Sequence, residues 1–106
     1  MEIYTPGFNK IRRLLYPIIL DFLGKYGEAS GTEIMGFIKK MKGKEEKKFK
    51  LIDFVYRSLA DYSEQIQEVL VDMIRLCLID QTRFGYKLSS LGKDSIGKDF
   101  DEIILG

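Results

Sequence analysis

The sequence predicts a mainly α domain, about four to five helices with one small β-hairpin near its end, and three observations carry that prediction. Apolar residues recur at three- and four-residue spacing over most of the chain, the period of a helix with one buried face. Side chains that cap helix starts precede several of those runs, and glycines follow several of them. Only the stretch LIDQTRFGYKLSS, residues 78–90, departs from this pattern, with two short strand-like runs around Phe84-Gly85.

Taken in order, Asn9 is expected to cap a first helix in which Ile11, Leu14, Leu15, Ile18 and Phe22 share a face up to Gly27. Pro17 lies off that stripe and should kink or divide the helix rather than abolish it. Ser30-Gly31-Thr32-Glu33 has the form of a capping box, in which serine hydroxyl and glutamate carboxylate each satisfy a backbone donor. Ile34, Phe37, Ile38 and Met41 continue that second helix to Gly43. A third helix is expected over about Phe49–Leu59, with Ile52, Val55, Tyr56 and Leu59 facing inward. Asp61 with Glu64 can cap a fourth, whose wide stripe of Ile66, Val69, Leu70, Met73, Leu76 and Cys77 suits the centre of a small core. The hairpin follows as Leu78–Thr82 and Tyr86–Ser89, with Gly85 free to take the positive φ of a tight turn. Ser89 or Ser90 then caps a closing helix bearing Leu91, Ile96, Phe100 and Ile103, weakened by Gly92 and Gly97.

Composition bounds the function. The 106 residues, 45% hydrophobic and 31% charged, suit a single domain spanning 1–106. The longest uncharged apolar stretch, Leu14–Leu20, is far short of the roughly 20 residues of a membrane span, so no membrane association is expected. A lone cysteine, Cys77, cannot staple the fold, which points to a reducing, cytoplasmic setting. The absence of histidine excludes Ser-His-Asp and Cys-His chemistry and the usual zinc sites, and no glycine pattern forms a phosphate cradle. No enzyme activity, catalytic residue, metal or cofactor is expected.

Charge is unevenly distributed. Between Lys39 and Lys50 stand seven lysines, Lys39, Lys40, Lys42, Lys44, Lys47, Lys48 and Lys50, against Glu45 and Glu46, a local balance of +5. The rest of the chain holds 10 basic and 14 acidic residues, so a net charge of +1 conceals a basic segment on an acidic remainder. Such a segment is either a solvated loop or a site for phosphates and acidic partners.

Helix, short turn, core-forming helix, hairpin and closing helix is the plan of a winged helix-turn-helix. The residues that strengthen it are Leu78-Ile79, a short polar hairpin, and Tyr86-Lys87-Leu88-Ser89-Ser90-Leu91-Gly92-Lys93-Asp94-Ser95-Ile96. This run resembles the end of small winged-helix regulators of the MarR and PadR type, which show a wing followed by Tyr-x-Leu-Thr-x-x-Gly-x-x-x-apolar. The likeness covers about Phe49–Ile96; serine stands here for the usual threonine, and the wing is short.

The resemblance implies a transcriptional regulator that binds double-stranded DNA, generally as a homodimer. Its reading helix would be Ser63–Cys77, with Ser63, Gln65, Gln67 and Glu68 toward the DNA, Arg83 at the wing tip and Lys87 as a phosphate contact. The seven lysines would add nonspecific attraction. Against this, the outer face of that helix is expected to carry Glu64, Glu68 and Asp72 with only Arg75 in reply, a poor match to a polyanion. The alternative is a winged-helix module holding a protein partner through that acidic face. A lysine segment close to the wing favours DNA, and one across the molecule favours the partner protein. Ile3, Tyr4 and Phe8 at one end and Phe100, Ile103, Ile104 and Leu105 at the other are candidates for a dimer interface or for the protein's own core.

Overall fold

The computed structural model describes residues 5–105 and is mostly helical, with two small antiparallel sheets. Helix α1 (Pro6–Tyr26) starts four residues earlier than a cap at Asn9 would place it. Thr5 caps it, accepting from the Phe8 amide at 3.0 Å, and Pro6 occupies the first turn, where its missing N–H costs nothing. Asn9 is therefore inside the helix, and the helix continues through Pro17 to a stop at Gly27, whose φ is 84°. Strand β1 (Glu28–Ala29) leads to α2 (Gly31–Lys44). The expected capping box is present, with Glu33 N donating to Ser30 Oγ at 3.1 Å and Ser30 N to Glu33 Oε1 at 3.0 Å.

The expected third helix over 49–59 does not form. Residues 46–51 are a turn that drops Phe49 and Ile52 into the core, and the chain then makes a hairpin of β2 (Val55–Arg57) and β3 (Ala60–Tyr62). Ile52, Val55, Tyr56 and Leu59 do have helical spacing, but so short a run is ambiguous, and β-branched Val55 with aromatic Tyr56 and Tyr62 suits strands. Of the four, only Ile52 is buried. Ser58 and Leu59 between the strands both have positive φ, 51° and 67°, as a two-residue hairpin turn of the twisted kind requires.

Ser63, not Asp61, caps α3 (Glu64–Arg75); Asp61 belongs to β3. The helix ends two residues short of Cys77, in a Schellman closure: Leu78 N donates to Met73 O at 2.9 Å and Cys77 N to Ile74 O at 3.0 Å. Cys77 takes φ 61° at the position where glycine is usual. Strands β4 (Ile79–Gln81) and β5 (Tyr86–Leu88) form the expected hairpin, and β1 joins it to give a sheet of order β1-β5-β4. The closing segment is not one helix. Ser89 caps α4 (Ser90–Asp94), and after Gly97, with φ 86°, α5 (Phe100–Leu105) begins separately.

The core lies where α1 (Leu15, Ile19, Leu23) meets α3 (Ile66, Val69, Leu70, Met73), closed by Ile34 and Ile38 of α2, by Phe49 and Ile52, and by Leu78 and Ile79. Phe8, Phe100 and Ile103 pack against it, while Ile104 and Leu105 are exposed. Ile3 and Tyr4 lie outside the described residues. No helix among the described residues is long and apolar enough to cross a membrane.

Candidate macromolecule-binding surfaces

Helix α3 is held by a buried polar cluster. Asp72, only 2% exposed, accepts from Arg12 Nε at 2.7 Å and from the Tyr16 hydroxyl. Arg12 also donates to Asn9 Oδ1 at 3.0 Å and to the Tyr16 oxygen at 3.3 Å, with its guanidinium over the Tyr16 and Phe100 rings. Burial works against the Arg12 charge, but the bonds to Asp72 and Tyr16 outweigh it and raise its pKa. Burial, and then the bond to Asp72, push the Tyr16 hydroxyl well above the ordinary tyrosine range, so it remains a donor. The cluster joins α1, α3 and α5.

This corrects the expected outer face. Glu64, Glu68 and Asp72 are each four residues apart, and each such step advances about 40° around a helix, so Asp72 has turned inward. The accessible face of α3 is Glu64, Glu68, Val71 and Arg75, with Gln67 half-buried beside them. It borders a groove shared with Thr5 and Phe8 of the α1 start. The balance is two carboxylates to one guanidinium, still acidic.

The other proposed reading residues have structural partners. Ser63 is fully buried, and its hydroxyl accepts from Ile66 N at 3.3 Å as the helix cap. Gln65 Oε1 accepts from the Asp53 amide at 3.1 Å and the Ser63 hydroxyl at 3.2 Å, tying the approach to β2 onto α3. Gln67 alone of the three lines the groove.

At the β4–β5 tip, Thr82 Oγ1 accepts from Phe84 N at 3.2 Å and Gly85 N at 3.0 Å, shaping a compact turn. Arg83 projects there, its guanidinium 5.8 Å from the exposed Phe84 ring. Lys87 is exposed on the middle strand, but its register partners are Glu28 on one side and Asp80 on the other. Cross-strand pairs interact, so Lys87 stands among neutralising carboxylates.

The lysines gather elsewhere. Lys39 bridges to Asp61 at 2.7 Å, Lys48 to Glu45 at 3.5 Å, and Lys42 Nζ donates to the Ile52 carbonyl. Lys40, Lys44, Lys47 and Lys50 are exposed and form no ion pair among the described residues. The β4–β5 hairpin abuts the opposite end of α2: a Cβ on Gly31 would lie 3.7 Å from the Tyr86 ring, and one on Gly85 only 2.2 Å from the Ala29 carbonyl. At about 1.5 Å per residue, Lys39 to Lys44 lie roughly 12–20 Å further along the helix. Basic segment and hairpin tip occupy opposite ends of α2.

A local pattern could signal the capping role of Ser63, which stands at a helix start, but not the bond of Gln65 to the Asp53 amide twelve residues away. Nor could it signal Arg12 with Asp72, since the two meet across 60 residues of chain. No family model, no curated protein and no solved structure matches the chain.

Proposed function

We propose that the chain is a winged-helix domain that works as a protein-interaction module. The order α1-β1-α2-α3-β4-β5 with sheet order β1-β5-β4 supports the architecture, with α2 and α3 as the helix pair, β4–β5 as the wing and β2–β3 inserted between the helices. The observation that carries the functional choice is electrostatic. The accessible face of α3 has Glu64 and Glu68 against Arg75, and the lysines stand at the other end of α2 from the wing. A duplex lying on α3 and the wing would meet net negative charge where phosphate binding requires cations. A basic or apolar protein surface meets Val71 in a carboxylate-rimmed groove, which suits it.

DNA binding as a regulator is the second reading, favoured by exposed Lys40, Lys44, Lys47 and Lys50, which form no ion pair among the described residues, and by Arg83 at an exposed tip. Binding to a labelled random-sequence duplex at several salt concentrations separates the two. The interaction module predicts no binding at moderate salt. The regulator predicts tight binding at low salt whose logarithm falls by about 0.9 per phosphate contact, with a shallower slope after Arg83→Ala or Lys47→Glu/Lys48→Glu. Light scattering reports the homodimer expected of a regulator.

A further inference from the structure

The β2–β3 hairpin exposes what a small domain ordinarily buries. Val55 is 54% exposed, Tyr56 73% and Leu59 88%, three large apolar side chains within five residues. Leu59 also holds a positive φ, 67°, as its neighbour Ser58 does, in a turn where asparagine and glycine fit without strain. Neither the exposure nor the strain serves the core, whose anchors in this segment are Phe49 and Ile52.

The hairpin also has an open edge. β3 packs beside α2, where Lys39 bridges to Asp61, so β2 is the outer strand, and among the described residues no other strand pairs with it. Arg57 and Ala60 close the two-residue turn and form its hydrogen-bonded pair. The next pair, Tyr56 and Asp61, is then the non-bonded kind, which directs the Tyr56 N–H and C=O away from β3. Strand edges of this sort are ordinarily protected by charge, proline or a bulge. Val55-Tyr56-Arg57 has one charge, and Arg57 is drawn over the Tyr62 ring at 4.6 Å.

Charge selects what fits. The turn entering β2 carries Lys47, Lys48 and Lys50, and Lys42 grips the Ile52 carbonyl at its end, so the +5 segment flanks the hairpin. Two copies pairing through β2 in parallel would bring two such segments together, and an antiparallel pair would set each segment at the Arg57 end of the other copy's strand. A nucleic-acid backbone would satisfy the lysines but leave Val55 and Leu59 without a use. We infer that the β2 edge receives an extended polypeptide segment of alternating apolar and acidic residues, adding a strand to the hairpin while its carboxylates face the lysines. This goes beyond the reading of α3 and holds whichever surface that helix meets.

The test uses the full chain and a labelled decapeptide of alternating valine and glutamate, followed by fluorescence anisotropy. Saturable binding is expected, with affinity falling at least about tenfold for a fully N-methylated peptide, for Tyr56→Pro, and for Lys47→Glu/Lys50→Glu. Equal binding of the N-methylated peptide would overturn strand addition without depending on any protein variant. Binding of a valine-lysine peptide as tight as the valine-glutamate one would overturn the acidic partner. Oligothymidylate binding that Tyr56→Ala abolishes, with no peptide binding, would make the hairpin a base-stacking platform instead. A concentration-dependent dimer lost in Tyr56→Ala would assign the edge to a second copy.

Discussion

The two hairpins among the described residues have three-residue strands and differ in what surrounds them. In β4–β5, Ile79, Tyr86 and Leu88 are buried, β5 is bonded on both sides, and the turn lies against the start of α2. In β2–β3 every residue of β2 is exposed, one strand edge is open, and the turn is made by an exposed leucine. A hairpin this short is marginal in water, so each must draw its stability from its neighbours. The first does so through side chains. The second sets only the half-buried Tyr62 of β3 against the core and otherwise relies on Phe49 and Ile52 just before it, on the Gln65 bond to the Asp53 amide, and on Lys39–Asp61. One hairpin belongs to the core, and the other is presented by it.

The difference can be broken at its common support. Helix α3 lies between the hairpins and is fixed to α1 by Asp72; Asp72→Ala leaves Arg12 charged in a buried site and should cost about 3–5 kcal/mol, measured by urea unfolding. Both hairpins are lost together. Gly85→Ala addresses the anchored hairpin alone: the added Cβ would meet the Ala29 carbonyl oxygen at 2.2 Å and Ser30 Cα at 2.7 Å, backbone that must move. About 2–4 kcal/mol is expected, with the β1–β5 pairing lost first.

The presented hairpin should respond in the opposite direction. Replacing Ser58-Leu59 by Asn-Gly removes the side-chain strain of two positive φ angles and an exposed leucine, and should stabilise by about 1 kcal/mol in the same assay. A loss of stability would show that Leu59 has a packing role.

These two segments were unequally legible, for physical reasons. LIDQTRFGYKLSS could be recognised because Gly85 marks its turn and buried residues alternate around it. Val55–Tyr62 could not, since its turn carries Ser58-Leu59 without glycine or asparagine, and Ile52, Val55, Tyr56 and Leu59 imitate a helical face. The capping box of α2 was visible because it is wholly local, whereas the burial of Asp72 depends on a partner 60 residues away. For the same reason the seven lysines were countable in advance, but their distance from the β4–β5 tip follows only from how α2 is laid against the sheet.

The smallest effect concerns the chain end. Arg13 donates to both Asp101 oxygens at 2.9 and 3.0 Å, and these bonds hold the Asp101 carboxyl below its usual range. A depressed carboxylate contributes stability above its unfolded pKa and loses it as pH falls through the folded one. Asp101→Asn should therefore lower Tm slightly above the ordinary aspartate range, with the difference from the parent chain closing as pH falls below that range.

Amide hydrogen exchange of Tyr56 against Lys87 compares the two hairpins directly. Lys87, in the middle strand, should exchange only with global unfolding, while Tyr56, facing outward from an open edge, should exchange within a few-fold of its unprotected rate until the valine-glutamate peptide is added. Tyr56 as slow as Lys87 in the free protein would contradict the account, because its edge would already be covered.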